Sequence, residues 1–513
     1  MSRILSIITC VFLSAIGSES ARILAVYPVP SISHQVVFRP VMLELAKRGH
    51  DVTVVTPDPI FPKGKAPSNY TEIDVHDISY KPWNKFVEIS SAKDSSLANQ
   101  IKIAMELLTD IFEKQVKTPE VQKILRDKHK FDLLFVEACT AIALSLSHVI
   151  KVPTIQFSSF GALPGMYESV GAPTHLFKYP LPIRQNFLNL SVWQQLSEYR
   201  TYREVENILL DQEEIVHVEL KRIFGSDMPS VHELRRNVDM MFLNIYPIWD
   251  FNRPVPPNVI YLGGLHQNPR KDLPKELKSF LDSATDGVIY MSLGTNVKPS
   301  NLPIEKVNMF LKVFSTLPYK VLWKWDQDEL EGRSDNVRIS KWFPQSDLLQ
   351  HPSIKLFITQ GGLQSTDEAI TAGVPFVGIP ILGDQWFNTE LYVYHKIGVK
   401  LDIATVTEAD FKNAINTVLN DGSYRANIVR LRKLMRDQPQ PPVERAVWWT
   451  EHVLRHGGAK HLRAPAADMS WTEYYEVKLL SVVFGVLALL LTAIVMTVRL
   501  VIRSVSKDKL KKN

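Results

Sequence analysis

The residues best equipped for chemistry follow a buried strand that we predict at 355–358. Directly after it come Gln360 and the glycine pair Gly361-Gly362, and a helix is expected to begin near Gln364. Glycine lets backbone N–H groups approach a ligand closely, and the N-terminus of a helix favours anions. This turn therefore suits the binding of a diphosphate.

A second group of polar side chains is expected at the same edge of the sheet. Glu368 comes one helical turn after the glycine pair, where its carboxylate is placed to accept ribose hydroxyls. A predicted strand at 376–379 is followed by Asp384 and Gln385 in a loop. A carboxylate beside an amide is well suited to binding the hydroxyls of a sugar. Each feature is common by itself, whereas the combination is specific.

Several other kinds of site lack their motifs. No GxGxxG follows the first predicted strand, so a dinucleotide fold would lack its phosphate turn. The sequence contains neither GxxxxGK followed by Ser or Thr nor a GxSxG nucleophile motif. No group of His, Cys and Asp residues has the sequence spacing of metal ligands. We therefore expect no metal and no bound cofactor.

The elements that must position these residues begin with a strand, a helix and a second strand. Val37, Val41 and Leu45 repeat at helical spacing between two apolar runs. Such a βαβ unit predicts a parallel sheet. The predicted strands of this first part lie at 22–27, 52–55, 131–136 and 154–157, and residues 160–235 are expected to be mostly helical.

A proline-rich stretch at 253–258 is typical of a stiff connector between domains. The alternation of strands and helices then resumes, with strands predicted at 288–292, 320–323, 337–339, 355–358 and 376–379. We therefore predict an α/β fold in which two doubly wound, Rossmann-like domains face a cleft. The predicted boundaries are a first domain at 21–250, a linker at 251–276, a second domain at 277–435 and a helical segment that packs back at 436–477.

The two ends of the chain carry signals of the secretory pathway. Arg3, followed by an apolar run and small residues, predicts a signal peptide at 1–20, with a retained membrane helix as the alternative. A predicted helix at 478–498 is apolar and long enough to cross a bilayer, with a core helix as the alternative. The basic tail at 499–513 would then lie in the cytosol.

The tail accounts for the whole formal net charge of +5, because it holds six basic residues and one acidic residue. The rest of the chain is close to neutral, which argues against a nucleic-acid partner. Only Cys139 remains once a signal peptide is removed, so no internal disulfide is expected. Sequons at Asn69 and Asn189 are compatible with lumenal glycosylation and could equally be unused.

The segment FITQGGLQSTDEAITAGVPFVGIPILGDQWFN at 357–388 closely resembles the signature of the UDP-glycosyltransferases, and most of all that of their insect membrane-bound members. The resemblance extends over nearly the whole chain. It implies the GT-B fold, with the acceptor bound by the first domain and a UDP-sugar bound by the second. It also implies transfer with inversion and without a metal, the UDP-sugar being a co-substrate.

The resemblance also implies roles for particular residues in binding the UDP-sugar. Trp342 would stack on uracil with Gln345 beside it, and Ser292 would reach the phosphates. The remaining assignments are Gly362 and Ser365 for the diphosphate, Glu368 for the ribose, and Asp384 with Gln385 for the sugar.

The sequence departs from the family at two positions. Gln360 stands where the family commonly has histidine, and Gln364 stands where it commonly has asparagine. A glutamine amide can donate a hydrogen bond to a phosphate, but it carries no positive charge. We therefore expect both residues to serve the donor as neutral groups.

His34 is the candidate general base. It lies past the carboxyl end of the first strand, facing the crevice where open α/β sheets bind ligands. An imidazole titrates near neutral pH, which suits proton abstraction from a hydroxyl. A capping or surface histidine is the alternative, but the family places its catalytic histidine at this turn.

The family pairs this histidine with a carboxylate that follows a later strand. Here the predicted strand 131–136 ends in Glu137, and parallel strands bring their carboxyl ends to one edge of the sheet. Glu137 is therefore expected to hold His34 in its tautomer. Asp132 begins the same strand and is expected at the opposite edge.

The resemblance thus predicts a membrane-anchored UDP-glycosyltransferase of the endoplasmic reticulum with its catalytic part in the lumen. Its expected partners are a UDP-sugar, with glucose favoured over glucuronate, and a small lipophilic acceptor with a hydroxyl group. Lys509 and Lys511 resemble the dilysine retrieval signal of that compartment. The alternatives are a non-catalytic lipophile-binding protein and a soluble secreted enzyme, and a homo-oligomer stays open.

Overall fold

Seven parallel strands form the sheet of the first domain, in the order β3-β2-β1-β4-β5-β6-β7. The structure, a computed structural model, describes residues 20–92 and 97–510. β4, β5 and β6 are buried along their whole length, as expected for a parallel sheet that is covered on both faces. The strands are β1 Arg22–Val26, β2 Asp51–Thr56, β3 Tyr70–Asp74, β4 Leu133–Glu137, β5 Thr154–Ser158, β6 Val238–Leu243 and β7 Val259–Tyr261.

In the described part of the chain, eight α-helices connect these strands. They are α1 Ile32–Lys47, α2 His76–Ala92, α3 Leu97–Val116, α4 Pro119–Arg126, α5 Ser145–Ile150, α6 Met166–Ser169, α7 Val192–Phe224 and α8 Val231–Leu234. The long helix α7 begins at a capping box, in which the Ser191 and Gln194 side chains each bond the other residue's backbone N–H. It buries few of its side chains, which explains why its apolar pattern in the sequence is weak.

The second domain holds six parallel strands in the order β10-β9-β8-β11-β12-β13. The strands are β8 Val288–Ser292, β9 Lys320–Lys324, β10 Val337–Ser340, β11 Ile354–Thr359, β12 Phe376–Gly378 and β13 Gly398–Lys400. The helices are α9 Lys275–Asp282, α10 Ile304–Ser315, α11 Gln345–Leu349, α12 Leu363–Ala372, α13 Gln385–Tyr394, α14 Glu408–Asn420 and α15 Gly422–Arg436.

The chain then returns to the first domain. Helix α16, Pro442–His456, places Ala446, Val447 and Val453 in the apolar core beneath α1. A short helix α17, Trp471–Tyr474, precedes α18, Val477–Leu510. Residues Val477–Ser504 of α18 are apolar, unburied and long enough to cross a membrane.

The two predicted sheets are present, but four of their strands were missed. These are β3, β6, β7 and β13. β7 lies within the segment predicted as the linker, where it forms the edge strand of the first sheet. The predicted signal peptide lies outside the described residues except for Ser20, and so does Lys511 of the tail.

Candidate active site

A cleft of about 380 Å³ lies between the carboxyl ends of the two sheets. Every residue that the sequence analysis placed in the site lines this cleft except Glu137, which is buried beneath it. The lining residues from that prediction are His34, Ser292, Trp342, Gln345, Gln360, Gly362, Gln364, Ser365, Glu368, Asp384 and Gln385. The cleft therefore joins side chains that are hundreds of residues apart in the chain.

His34 and Glu137 form a hydrogen-bonded pair on the first-domain side of the cleft. His34 is in the first turn of α1, and Glu137 is the last residue of β4. Strands β1 and β4 are parallel neighbours, so their carboxyl ends bring the two side chains together. The His34 Nδ1 atom lies 2.7 Å from Oε1 of Glu137.

The surroundings of this pair select one histidine tautomer. Glu137 is fully buried, and its Oε2 accepts a second hydrogen bond of 3.1 Å from the Val29 N–H. An ionised carboxylate only accepts hydrogen bonds, so Nδ1 of His34 must carry the proton. The other ring nitrogen, Nε2, then keeps its lone pair. Asp132, by contrast, binds Arg22 at the opposite edge of the sheet, as predicted.

Cys139 lies next to the pair, which the sequence spacing did not indicate. Atoms of His34, Glu137 and Cys139 that could ligate a metal lie within 4.8 Å of one another. Burial raises the pKa of the Cys139 thiol well above its usual value and keeps it protonated. A metal ion here would have to displace the protons of both the thiol and Nδ1.

The turn before α12 presents backbone amides to the cleft from the second domain. Gly361 has φ of +90°, and a Cβ atom there would lie 2.6 Å from Cγ2 of Thr389, so only glycine fits. Gly362 is the N-cap and has no side chain to cover the first amides of the helix. The helix begins at Leu363, one residue before the predicted start.

Gln345 organises a polar group beside this turn. Its Nε2 donates to Oγ of Ser365 at 2.9 Å and to Oε2 of Glu368 at 2.7 Å, and its Oε1 accepts from the Tyr290 hydroxyl at 3.1 Å. Burial raises the pKa of Glu368 to about 7, against the opposing effect of the hydrogen bond from Gln345. Glu368 is thus an acceptor that gains its charge near neutral pH.

Asp384 is held by Asn388, which the sequence analysis missed. The Asn388 amide donates to Oδ2 of Asp384 at 2.8 Å and to the Gly361 carbonyl at 2.9 Å. Its Oδ1 accepts from the indole of Trp249 in the first domain at 2.9 Å. Burial raises the pKa of Asp384 to about 6, while the hydrogen bond from Asn388 and the charge of His34 act in the other direction.

The neighbouring Gln385 uses its side-chain oxygen to bind the backbone of its own loop. Its Oε1 accepts hydrogen bonds of 2.8 Å from the N–H groups of Ile381 and Leu382. This anchors the loop that carries Asp384 and leaves the Gln385 amide nitrogen for the cleft.

The two glutamines that depart from the family differ in their contacts. Gln360 is buried with its amide nitrogen against Gly294, and its Oε1 has no hydrogen-bond partner among the described residues. Gln364 instead donates from Nε2 to the Ser159 carbonyl of the first domain at 3.1 Å. Gln364 therefore joins the two domains at the edge of the cleft.

Trp342 is a surface residue of the cleft, with 65% of its area exposed. The Lys324 ammonium lies 4.6 Å from the centre of its ring and donates to the Gly294 carbonyl at 2.8 Å. Burial lowers the pKa of Lys324 to about 8. The sequence analysis missed Lys324, although it ends β9 at the same edge where Ser292 ends β8.

Known proteins are similar to this chain over most of its length. A family model described as "UDP-glucoronosyl and UDP-glucosyl transferase" matches residues 22–512. An "Ecdysteroid UDP-glucosyltransferase" of Spodoptera littoralis nuclear polyhedrosis virus is 38% identical over 89% of this chain and 93% of its own. "UDP-glycosyltransferase UGT5" of Dactylopius coccus is 32% identical over 94% and 93%, and "UDP-glucuronosyltransferase 2B13" of Oryctolagus cuniculus is 30% identical over 95% and 94%.

Solved structures share the fold at low sequence identity. The glycosyltransferase of kitacinnamycin has a TM-score of 0.57 at 17% identity. The match covers 86% of this chain and 100% of that structure's chain. The calicheamicin glycosyltransferase CalG4 has a TM-score of 0.56 at 17% identity, with 85% and 99% covered. The two facing α/β domains therefore have the GT-B fold, as predicted.

The match over nearly the whole chain is more specific than the fold. The protein belongs to the UDP-glucuronosyl and UDP-glucosyl transferase family, and it is a UDP-glycosyltransferase with an apolar C-terminal helix fit to anchor it in a membrane. The predicted family and enzyme class are thereby confirmed.

Proposed function

We propose that this enzyme transfers glucose from UDP-glucose to a hydroxyl group of a small lipophilic acceptor, with inversion and without a metal ion. The observation that carries the proposal is the position of the His34–Glu137 pair across the same cleft as the N-terminus of α12. One side of the cleft can take up a proton, and the other can accept the negative charge of a leaving diphosphate.

The donor would lie along the second domain. Its uracil would stack on exposed Trp342, and its ribose hydroxyls would donate to Glu368 beside Gln345. The diphosphate would contact Ser292, Ser365 and the uncapped amides that begin at Gly362. Asp384 and Gln385 would then hold the sugar between this site and His34.

The acceptor hydroxyl would give its proton to Nε2 of His34 while its oxygen attacks the anomeric carbon. The bond from that carbon to the diphosphate oxygen breaks, and its electron pair leaves with UDP. Glu137 stabilises the imidazolium that forms, because its Oε1 accepts a hydrogen bond from Nδ1 of His34, with the two atoms 2.7 Å apart. Attack from the side opposite UDP inverts the configuration of the anomeric carbon.

The choice of glucose and of a lipophilic acceptor follows the relatives. Two relatives that are each 38% identical to this chain are named ecdysteroid UDP-glucosyltransferases, and an ecdysteroid is a small lipophilic molecule with hydroxyl groups. The mammalian relative is named a glucuronosyltransferase, which keeps UDP-glucuronate as the second donor.

The test is an incubation of membranes containing the enzyme with labelled UDP-glucose or UDP-glucuronate and a panel of steroids and phenols. Half of each sample contains EDTA. We expect a glucosylated product at the same rate in both halves. A product formed only after addition of manganese would contradict metal-free transfer, and binding of acceptors without any transfer would support the non-catalytic alternative.

Glu368 makes donor affinity depend on pH. Ribose hydroxyls donate best to the ionised carboxylate, and its pKa in the free enzyme is about 7. The affinity for UDP-glucose is therefore expected to rise about tenfold between about pH 6 and about pH 8. Isothermal titration over this range measures it.

The matched control is Glu368→Gln, which cannot ionise and should flatten much of this dependence. Because folding raises the pKa of Glu368, its protonated carboxyl stabilises the folded state fully at pH values below the ordinary glutamate pKa. This stabilisation is lost as the pH rises through about 7. The variant should therefore melt at a higher temperature than the wild type at alkaline pH. An unchanged pH profile in the variant would remove Glu368 from ribose binding.

Gln360 is expected to donate a neutral hydrogen bond to the diphosphate. One such bond to a charged oxygen is worth about 1.5–3 kcal/mol, so Gln360→Ala should weaken UDP-glucose binding or turnover by about one to two decades. Gln360→His should be tolerated. The control is Gln364→Ala, since that amide is bound to the Ser159 carbonyl, and its effect on UDP affinity should be smaller. If Gln360→Ala binds UDP with the same affinity as the wild type, the backbone amides alone hold the diphosphate.

We infer that the enzyme is a type I protein of the endoplasmic reticulum whose two domains lie in the lumen. In that orientation Asn189 is expected to be glycosylated, because it is exposed in a left-handed turn with φ of 50°. Asn69 is expected to stay unmodified, since its Nδ2 donates to the carbonyls of Ala46 and His50. Endoglycosidase treatment of wild type, Asn189→Gln and Asn69→Gln tests this. A glycan that persists in Asn189→Gln would contradict it.

A further inference from the structure

Three histidines form a cluster far from the cleft, on the C-terminal segment that packs against the first domain. His452 and His456 lie one turn apart on the same face of α16, and His461 follows in the turn after that helix. The Nε2 atoms of His452 and His461 are 3.2 Å apart. Ring centres are 4.5 Å apart for His452 and His456 and 5.9 Å apart for His456 and His461.

The turn that brings His461 back to the helix is fixed by the first domain. Gly458 has φ of +130°, and a Cβ atom there would lie 2.7 Å from Oδ1 of Asp239, so glycine is required. The same Oδ1 accepts the N–H of fully buried Ala459 at 2.9 Å, while Oδ2 of Asp239 accepts the Thr154 N–H. The approach of His461 to His452 is therefore held by the fold.

The chemistry of the cluster is that of nitrogen ligands. In a hydrogen bond between two Nε2 atoms one nitrogen donates and the other accepts, so the accepting nitrogen carries no proton and can give its lone pair to a metal ion instead. Two nitrogens bound to one tetrahedral zinc ion at about 2.0–2.1 Å would be about 3.4 Å apart, close to the observed spacing.

We propose that His452, His456 and His461 bind one borderline divalent metal ion, with zinc as the best fit. His452 and His461 are already placed, and His456, which is exposed, joins them by rotation of its side chain. The fourth position would be open to water. Among the charged neighbours, the Arg455 guanidinium packs on Trp448 and lies 3.9 Å from the Glu451 carboxylate, and Asp239 is committed to the turn. The bound ion would fasten the turn that carries His461, and with it the start of the segment leading to α18, to helix α16.

The test uses the full-length enzyme in detergent after removal of metals by a chelator. Titration with zinc is expected to show one bound ion and a rise in melting temperature. His452→Ala and His461→Ala should each lower the zinc affinity by ~10–100-fold or more. Removal of a hydrogen bond that only supports a metal ligand already causes a loss of that size. His129→Ala, which removes an exposed histidine elsewhere, should bind as the wild type does.

Cobalt separates this site from the group formed by His34, Glu137 and Cys139, whose possible ligand atoms also lie close together. A cobalt ion on three histidines absorbs in the visible range without the near-ultraviolet band of a thiolate ligand, whereas a site containing Cys139 would show that band. Zinc affinity that is unchanged in both histidine variants, or that is lost only in Cys139→Ser, would overturn the proposal. Glucosyl transfer, measured separately, should be the same in His461→Ala and the wild type, so this result is independent of the proposed function.

Discussion

Replacement of His34 by alanine is expected to lower the rate of glucosyl transfer by about 10²–10⁴-fold while the affinity for UDP stays unchanged. The reason is the division of labour across the cleft. His34 lies on the first domain and takes the acceptor proton, whereas the residues placed on the nucleotide belong to the second domain. Turnover at saturating donor and titration of UDP, measured on the same preparation, separate the two effects.

The partner and the neighbour of His34 supply graded controls. Glu137→Ala should cost less than His34→Ala, because the base survives but loses the carboxylate that orients its ring at 2.7 Å. Cys139→Ser leaves the pair intact and should keep most of the activity. Comparable turnover in His34→Ala and the wild type would remove His34 from the mechanism, and a loss of UDP affinity in Glu137→Ala would mean that Glu137 acts elsewhere.

Replacement of Asp384 by alanine is expected to lower kcat/KM for UDP-glucose by about 10²–10⁴-fold and to leave the affinity for free UDP nearly unchanged. A carboxylate that accepts two sugar hydroxyls makes two charged hydrogen bonds, each worth about 1.5–3 kcal/mol. Asp384 is suited to this because its Oδ2 is fixed by Asn388 while its side chain still lines the cleft. Titration of UDP and of UDP-glucose against the variant measures the difference.

Asn388 allows the position of Asp384 to be tested apart from its charge. Asn388→Ala removes the bonds to Asp384 and to the Gly361 carbonyl and leaves the Trp249 indole without its acceptor. It should therefore weaken UDP-glucose use and also destabilise the contact between the domains. Equal losses for UDP and UDP-glucose in Asp384→Ala would show that this carboxylate contacts the nucleotide instead of the sugar.

Several strands that sequence reasoning placed correctly are fully buried. β4 and β8 are apolar runs that end in one polar residue, and β5 is buried at every position, because helices cover both faces of a parallel sheet. The missed β7 and β13 have three residues each and show little pattern, although β12, which is equally short, was predicted. β3 carries Thr71, Glu72 and Asp74 at the edge of its sheet and reads as a loop. The buried β6 was missed because it lies at the end of a region dominated by α7.

The candidate site was predictable where residues follow directly on strands. Glu137 and Ser292 end their strands, and His34 lies in the first helical turn after β1. The parallel topology alone brings such positions to the carboxyl edge of each sheet. Contacts between the domains left no such signal. The bonds from Gln364 to Ser159 and from Trp249 to Asn388 join residues 205 and 139 positions apart, and no local pattern in the sequence indicates them.

The anomeric configuration of the product is the most direct test of the account. UDP-glucose carries its sugar in the α configuration. In the proposed mechanism His34 removes the proton of the acceptor hydroxyl, and the acceptor oxygen attacks from the side opposite the diphosphate at α12. The product isolated from the EDTA-containing reaction should therefore be a β-glucoside by proton NMR. An α-glucoside would contradict a single displacement between His34 and the α12 turn.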